Sequence, residues 1–216
     1  MITDKIYTER IKNGNKMREF LSRLDSLGIN KKKIPLVNKI LDEKAVNVVV
    51  DIRESTFYKS KEGFHPNQFK ENQERYDRKY VYIQELGNPY HKKLQAEVKA
   101  AQKNEKKLLF IDEKGKALYL DYLQQENVEI NDKIRNPFAA LKKLYKQIAH
   151  TREGKSLRFC FICYCDVEKP NYTEAGKCHR FWLIYALKEL KCLELGYDSY
   201  FKDNKKINKW INRWQK

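Results

Sequence analysis

The sequence predicts an α/β fold, a small and mostly parallel sheet flanked by helices and followed by a C-terminal amphipathic helix. Three observations predict it. Three short apolar runs, at residues 46–51, 80–83 and 157–165, are rich in the β-branched and aromatic residues of buried strands. Between and after these runs, apolar residues recur at helical spacing. Strands that alternate with helices are joined by crossovers and therefore run parallel.

In chain order, Met17, Phe20, Leu21, Leu24 and Leu27 form a helical stripe, and Gly28 is placed to stop it. Residues 34–45 read as a second helix with Pro35 in its first turn. The run Val46-Asn47-Val48-Val49-Val50-Asp51 is the first strand and continues into Ile52-Arg53. A loop over 54–65 leads to a helix that opens at Pro66 and runs to about Tyr76. The second strand, 80–83, enters Gln84-Glu85-Leu86-Gly87-Asn88-Pro89, which has the Gly-Asn-Pro chemistry of a turn. Residues 90–103 read as helical, and 107–112 fit either a strand or a helix start. Residues 118–125 and 137–149 read as helices, the latter on Phe138, Leu141, Leu144, Tyr145 and Ile148. The third strand, 157–165, is separated by a loop over 166–177 from a helix over 178–193. A last helix over 204–214 carries Ile207, Trp210, Ile211 and Trp214 on one face. The chain thus divides into an N-terminal helical segment (1–45), an α/β core (46–193) and a basic C-terminal helix (194–216), expected to form one compact unit.

Charge narrows the partners. The chain has 216 residues and a net charge of +16, from 45 Lys and Arg against 29 Asp and Glu. Such an excess attracts polyanions, nucleic acid or nucleotides first and acidic membrane surfaces second. A solvated surface without a partner is the plain alternative. The first residues are charged throughout, and no apolar run approaches the roughly 20 residues of a membrane span, so a cytoplasmic location is expected. All five cysteines fall between Cys160 and Cys192, which suits thiol chemistry, metal binding or burial better than a disulfide framework.

The chemistry concentrates on Cys163-Tyr164-Cys165 and Cys178-His179-Arg180. Side chains alternate along a strand, so Cys163 and Cys165 share a face and Cys160 points the other way. A helix starting near Cys178 places its free N–H groups and positive dipole end beside Cys178 and His179. Such a place binds anions and lowers a thiol's pKa. Three functional readings follow: a nucleophilic cysteine, a zinc site from Cys163, Cys165, Cys178 and His179, or a phosphate- or base-binding pocket held by His179 and Arg180. The structural alternative is cysteines that simply fill a buried strand. No cofactor is required by the sequence, with zinc the one candidate.

The stretches Val49-Val50-Asp51-Ile52-Arg53, residues 80–89 with Glu85-Leu86-Gly87, and Phe161-Ile162-Cys163 with Cys178-His179-Arg180 together resemble the domain of unknown function 488 family. The resemblance runs over roughly residues 46–192 and implies a Rossmann-like domain. It implies one pocket holding Asp51, Arg53, Glu85, Cys163, Cys178, His179 and Arg180, and it supplies no reaction. Thr56 and Tyr58 stand where Pro and Ser are usual in the family. Cys165 replaces an acid, for which Asp166 or Glu168 are the substitutes at hand, and the loop that follows is longer.

The residues lead to the same place. In a parallel sheet the C-terminal strand ends share one edge, where ligands bind. The expectation is a nucleic-acid- or nucleotide-acting protein that excises or modifies a base. Asp51 or Glu85 would be the acid–base group. Arg53 and Arg180 would hold phosphate, with Asn88 and Tyr164 as further substrate contacts and His179 orienting the substrate. Asp51–Arg53 and Glu85–Arg180 are equally plausible as structural ion pairs. The rival classes are a cysteine-dependent sulfur transferase or phosphatase-like enzyme and a non-catalytic nucleic-acid-binding module. On the last helix, Lys205, Lys206, Lys209 and Arg213 are candidate phosphate contacts, while the Ile/Trp face is expected to pack on the core.

Overall fold

The computed structural model describes residues 2–30, 32–54, 63–100, 105–149, 157–164 and 178–214. The elements in chain order are α1 (Ile2–Ser22), β1 (Leu24–Gly28), α2 (Ile34–Glu43), β2 (Val48–Asp51), α3 (Pro66–Glu74) and β3 (Lys79–Tyr82). A 3-10 turn (Gln84–Leu86) then leads to α4 (His91–Ala100), α5 (Glu105–Tyr122), β4 (Val128–Ile130) and β5 (Lys133–Arg135). The chain continues through α6 (Pro137–Ala149), β6 (Phe159–Cys163), α7 (His179–Glu194) and α8 (Lys205–Trp214). No helix among the described residues is long and apolar enough to cross a membrane.

The main sheet has the order β1-β6-β2-β3, and all its pairings are parallel. Connections β1–α2–β2 and β2–α3–β3 progress in the same direction across the sheet. Right-handed crossovers therefore place α2 and α3 on one face. The chain then reverses to insert β6 between β1 and β2, so the intervening helices belong on the opposite face. Two separate cores show this. Leu41, Val49, Phe69, Cys160 and Ile162 fill one face with α2 and α3. Val50, Phe161, Cys163, Tyr119, Leu141 and Leu187 fill the other with α5, α6 and α7.

Two elements differ from the sequence reading, and a third settles a choice that it left open. Residues 24–28 form β1 rather than the end of a helix. The stripe through Leu24 and Leu27 fits a helix, but parallel pairing of Leu24 with Phe159 through Gly28 with Cys163 outweighs that local preference. Residues 107–112 belong to α5, which resolves the strand-or-helix ambiguity. A hairpin, β4–β5, is an addition, and its signal was present in the sequence. Asn131 and Asp132 adopt φ of 50° and 60°, the paired left-handed conformation of a two-residue hairpin turn that Asn and Asp tolerate.

The terminal helices are tied to α7, which both α1 and α8 contact. Ile207, Trp210 and Ile211 are buried, and the Trp210 ring meets Phe138 and Tyr145 edge-on. Trp210 is thus a core residue and is not available to stack on bases. The Trp214 side chain lies outside the described residues.

Candidate functional site

Strand order sets the location. The chain leaves β1 and β2 toward α2 and α3 on one face, and leaves β6 toward α7 on the other. The C-terminal end of β6 is therefore flanked by neighbours whose connections diverge, the arrangement that opens a ligand crevice in α/β sheets. Register then decides which side chains meet. Asp51 pairs with Ile162, so these two share the α2/α3 face. Ile52 and Cys163, one residue further, belong to the opposite core. The seven residues expected to form a single pocket are thereby divided between two faces.

On the α2/α3 face, Asp51 and Arg53 form a closed cluster. Arg53 Nε lies 2.9 Å from both Asp51 carboxylate oxygens, and its Nη2 lies 2.5 Å from Oδ2. The Arg53 backbone N–H donates to Asp51 Oδ1, and Tyr80 donates its hydroxyl to Oδ2 at 2.6 Å. The third guanidinium nitrogen, Nη1, donates to the Phe64 carbonyl at 2.8 Å. Asp51 is 0 % and Arg53 3 % exposed. Burial opposes the charge on Arg53, but the Asp51 carboxylate outweighs it and leaves the guanidinium pKa raised. Burial, with Asp51 adding, pushes the Tyr80 hydroxyl well up. The pair takes the form of the structural ion pair that the sequence reading set beside the acid–base and phosphate roles of Asp51 and Arg53. Each group is saturated by the other, so the pair is a structural lock.

On the opposite face, β6 ends at Cys163 and α7 begins at His179, with Cys178 as its N-cap residue. Cys163 and Cys178 are buried and not disulfide-bonded, and their sulfurs stand 3.1 Å apart. His179 is half-buried, with Nε2 3.1 Å from the Ile52 carbonyl and its ring edge-on to Tyr119. A carbonyl only accepts, so Nε2 carries the proton and Nδ1 is the basic nitrogen. The Cys163, Cys178 and His179 ligand atoms all lie within 4.8 Å of one another. Arg180 is wholly buried, and its Nη1 donates to Cys163 Sγ at 3.5 Å. Its guanidinium is turned into the protein, toward Cys163. Among the described residues no ion pair joins it to Glu85. Cys165 lies outside the described residues, as do Asp166 and Glu168.

Glu85 sits on the 3-10 turn after β3 and is half-buried. Its backbone carbonyl receives the Tyr122 hydroxyl, and the next carbonyl, Leu86, receives that of Tyr119. Burial pushes the Tyr122 hydroxyl up to about 12 and that of Tyr119 well above its ordinary range. Both are structural donors at neutral pH. Gly87 is required by close approach. A Cβ there would come within 2.7 Å of Glu54 Oε2 and 2.8 Å of the Glu54 Cα. Glu54 in turn pairs with the buried Arg135 of β5 at 2.8 Å, a contact the sequence reading missed. Its only signal was a charged residue closing a short hairpin. Asn88 is buried and turns the chain, since its Oδ1 accepts the Tyr90 N–H at 2.9 Å. Tyr164 packs against the α2/α3-face core rather than beside Cys163. Thr56 and Tyr58 lie outside the described residues.

Lys205, Lys206, Lys209 and Arg213 are exposed along α8. Lys205, Lys209 and Arg213 line an open cleft with Asn208 and Asn212.

Residues 33–184 match the family model described as "Domain of unknown function DUF488", which covers more than two thirds of the 216 residues. The chain belongs to this family. No curated protein and no solved structure matches it.

Proposed function

We propose that this family member is a cytoplasmic enzyme acting on nucleic acid or nucleotides, modifying or excising a base at the sheet edge beside β6. The observation that carries the reading is the convergence of Cys163, Cys178 and His179 within 4.8 Å at that edge, in a chain of net charge +16. A flipped-out base needs a confined polar site, and the strand carrying it needs a cationic surface. Asp51 and Arg53 have no part in the chemistry. Glu85 takes the acid–base role, because its carboxylate is half-buried and makes no ion pair among the described residues. His179, held by its hydrogen bond to Ile52, forms part of the wall of the site. The exposed cations of α8 are the phosphate contacts.

Anisotropy of labelled single-stranded DNA, duplex DNA and RNA tests the binding half. Affinity is expected to fall steeply between about 50 and 200 mM salt. Absence of binding to all three, and to nucleotides, at low salt would end the proposal. Mass spectrometry of the oligonucleotides tests the catalytic half. Glu85→Gln is expected to keep binding and lose turnover by about 100-fold. If neither a modified nor a missing base is found, a non-catalytic binding module replaces the enzyme.

One observation favours a second reading, thiol chemistry by sulfur transfer or displacement. It is the donation of Arg180 Nη1 to Cys163 Sγ. That reading predicts a substrate-derived mass increment on a single cysteine, absent from the corresponding Ser variant.

A further inference from the structure

We infer that Cys163, Cys178 and His179 bind one thiophilic divalent ion of the zinc class at the C-terminal end of β6. The inference stands whether or not the sheet edge takes nucleic acid. Two thiolates and an imidazole are the donor set that selects zinc over the oxygen-seeking magnesium and calcium. The three donor atoms already lie within 4.8 Å of one another. Neighbouring ligands in one regular element strain to reach a common ion. Here the backbone changes direction between them, because Cys178 is extended (φ −133°, ψ 125°) and His179 is the first helical residue.

The contacts around the three ligands point the same way. Ligating histidines donate their second nitrogen to a carbonyl or carboxylate, which fixes the tautomer. His179 Nε2 does so to Ile52, one residue past β2, which leaves Nδ1 as the ligand atom. A donor aimed at sulfur is the outer contact that a metal-bound thiolate takes, and Arg180 Nη1 supplies it to Cys163. Both sulfurs belong to buried residues set on a strand end and a helix cap, where their positions are defined by packing. Loading requires one adjustment. A tetrahedral ion with Zn–S bonds of about 2.3 Å sets its sulfurs about 3.8 Å apart. The two sulfurs, now 3.1 Å apart, must therefore separate by roughly 0.7 Å, a rotamer-scale movement.

The full chain, purified with reductant and without chelator, tests this by elemental analysis and cobalt exchange. About one zinc per chain is expected, with the fourth position of the three-ligand site taken by water. The cobalt form should show thiolate-to-metal charge transfer and the strong ligand-field bands of a tetrahedral site. Cys163→Ser, Cys178→Ser and His179→Ala should each lose those bands, while Cys192→Ser should retain them. Arg180→Gln should keep the tetrahedral spectrum with metal affinity about 10–100-fold weaker. Should any variant not fold, the wild-type cobalt spectrum still decides. A metal-free chain that gives no charge-transfer band overturns the inference. So does a Cys163–Cys178 disulfide, seen as a mass lower by two hydrogens under non-reducing conditions. These readouts use no substrate. A loaded site without nucleic-acid binding defeats only the functional reading, and binding without metal defeats only this one.

Discussion

The two faces of the sheet end carry similar polar residues and use them in opposite ways. On the α2/α3 face, Asp51, Arg53, Tyr80 and the Phe64 carbonyl satisfy one another, and the lock has no valence left for a ligand. On the α5/α7 face, Cys163, Cys178 and His179 converge, and their outer contacts come from Ile52 and Arg180. The lesson is that a polar residue at a strand end is not by itself a functional residue. What separates the two cases is whether neighbouring groups consume its hydrogen-bonding capacity or aim it at a common point.

Breaking the lock should have the largest effect. Arg53→Ala leaves Asp51 charged and buried, which costs about 3–5 kcal/mol. Urea denaturation should show a large drop in midpoint, whereas Cys178→Ala measured with chelator should stay within about 1 kcal/mol of the parent. Equal losses in the two variants would erase the distinction between the faces.

Gly87→Ala comes next. The added Cβ meets the Glu54 backbone as well as its carboxylate, so the 3-10 turn must shift, at about 1–3 kcal/mol. The same denaturation experiment reads it, and a neutral result would mean that the turn is not held against Glu54.

A pH series separates the lock side from the cysteine side. Burial pushes the hydroxyls of Tyr82 and Tyr122 up to about 12 from an ordinary value of 10.0. The unfolded chain loses these protons first as pH rises, so their stabilisation is complete below about pH 10 and is lost toward pH 12. Denaturation midpoints should decline over that window. Tyr82→Phe should flatten the decline on the lock side, and Tyr122→Phe on the α5 side.

The smallest change in stability is expected for α8. Lys205→Ala with Lys209→Ala should leave folding within about 0.5 kcal/mol. If α8 contacts phosphates, the pair should reduce the slope of log affinity against log salt by about 2. An unchanged slope moves the nucleic-acid surface elsewhere.

Much of the fold was legible because local and long-range preferences agree. Val48, Val49 and Val50 make a strand in almost any setting, and Phe138, Leu141 and Leu144 make one face of a helix. β1 was not legible, since Leu24 and Leu27 satisfy helical spacing and only the partner β6, more than a hundred residues later, selects a strand. The hairpin at Asn131-Asp132 was legible in principle, but its three-residue strands offer little periodicity. At the candidate site, the placement of Cys163 and Glu85 after strands and of Cys178 and His179 at a helix start was legible. The inward positions of Arg53 and Arg180 were not, because a charged residue in a sequence reads as surface until its partner is known.

The sequence by itself determined the α/β class, the opposite directions of Cys160 and Cys163, the helix start at Cys178 and the basic character of α8. These follow from periodicity, capping and charge, which act over a few residues. Only the tertiary structure decided that β6 lies between β1 and β2, that Asp51 faces Ile162 while Cys163 shares its face with Ile52, and that the expected pocket is two separate clusters. Strand order and register are set by the sum of contacts between distant segments, and a shift of one residue in register exchanges the faces.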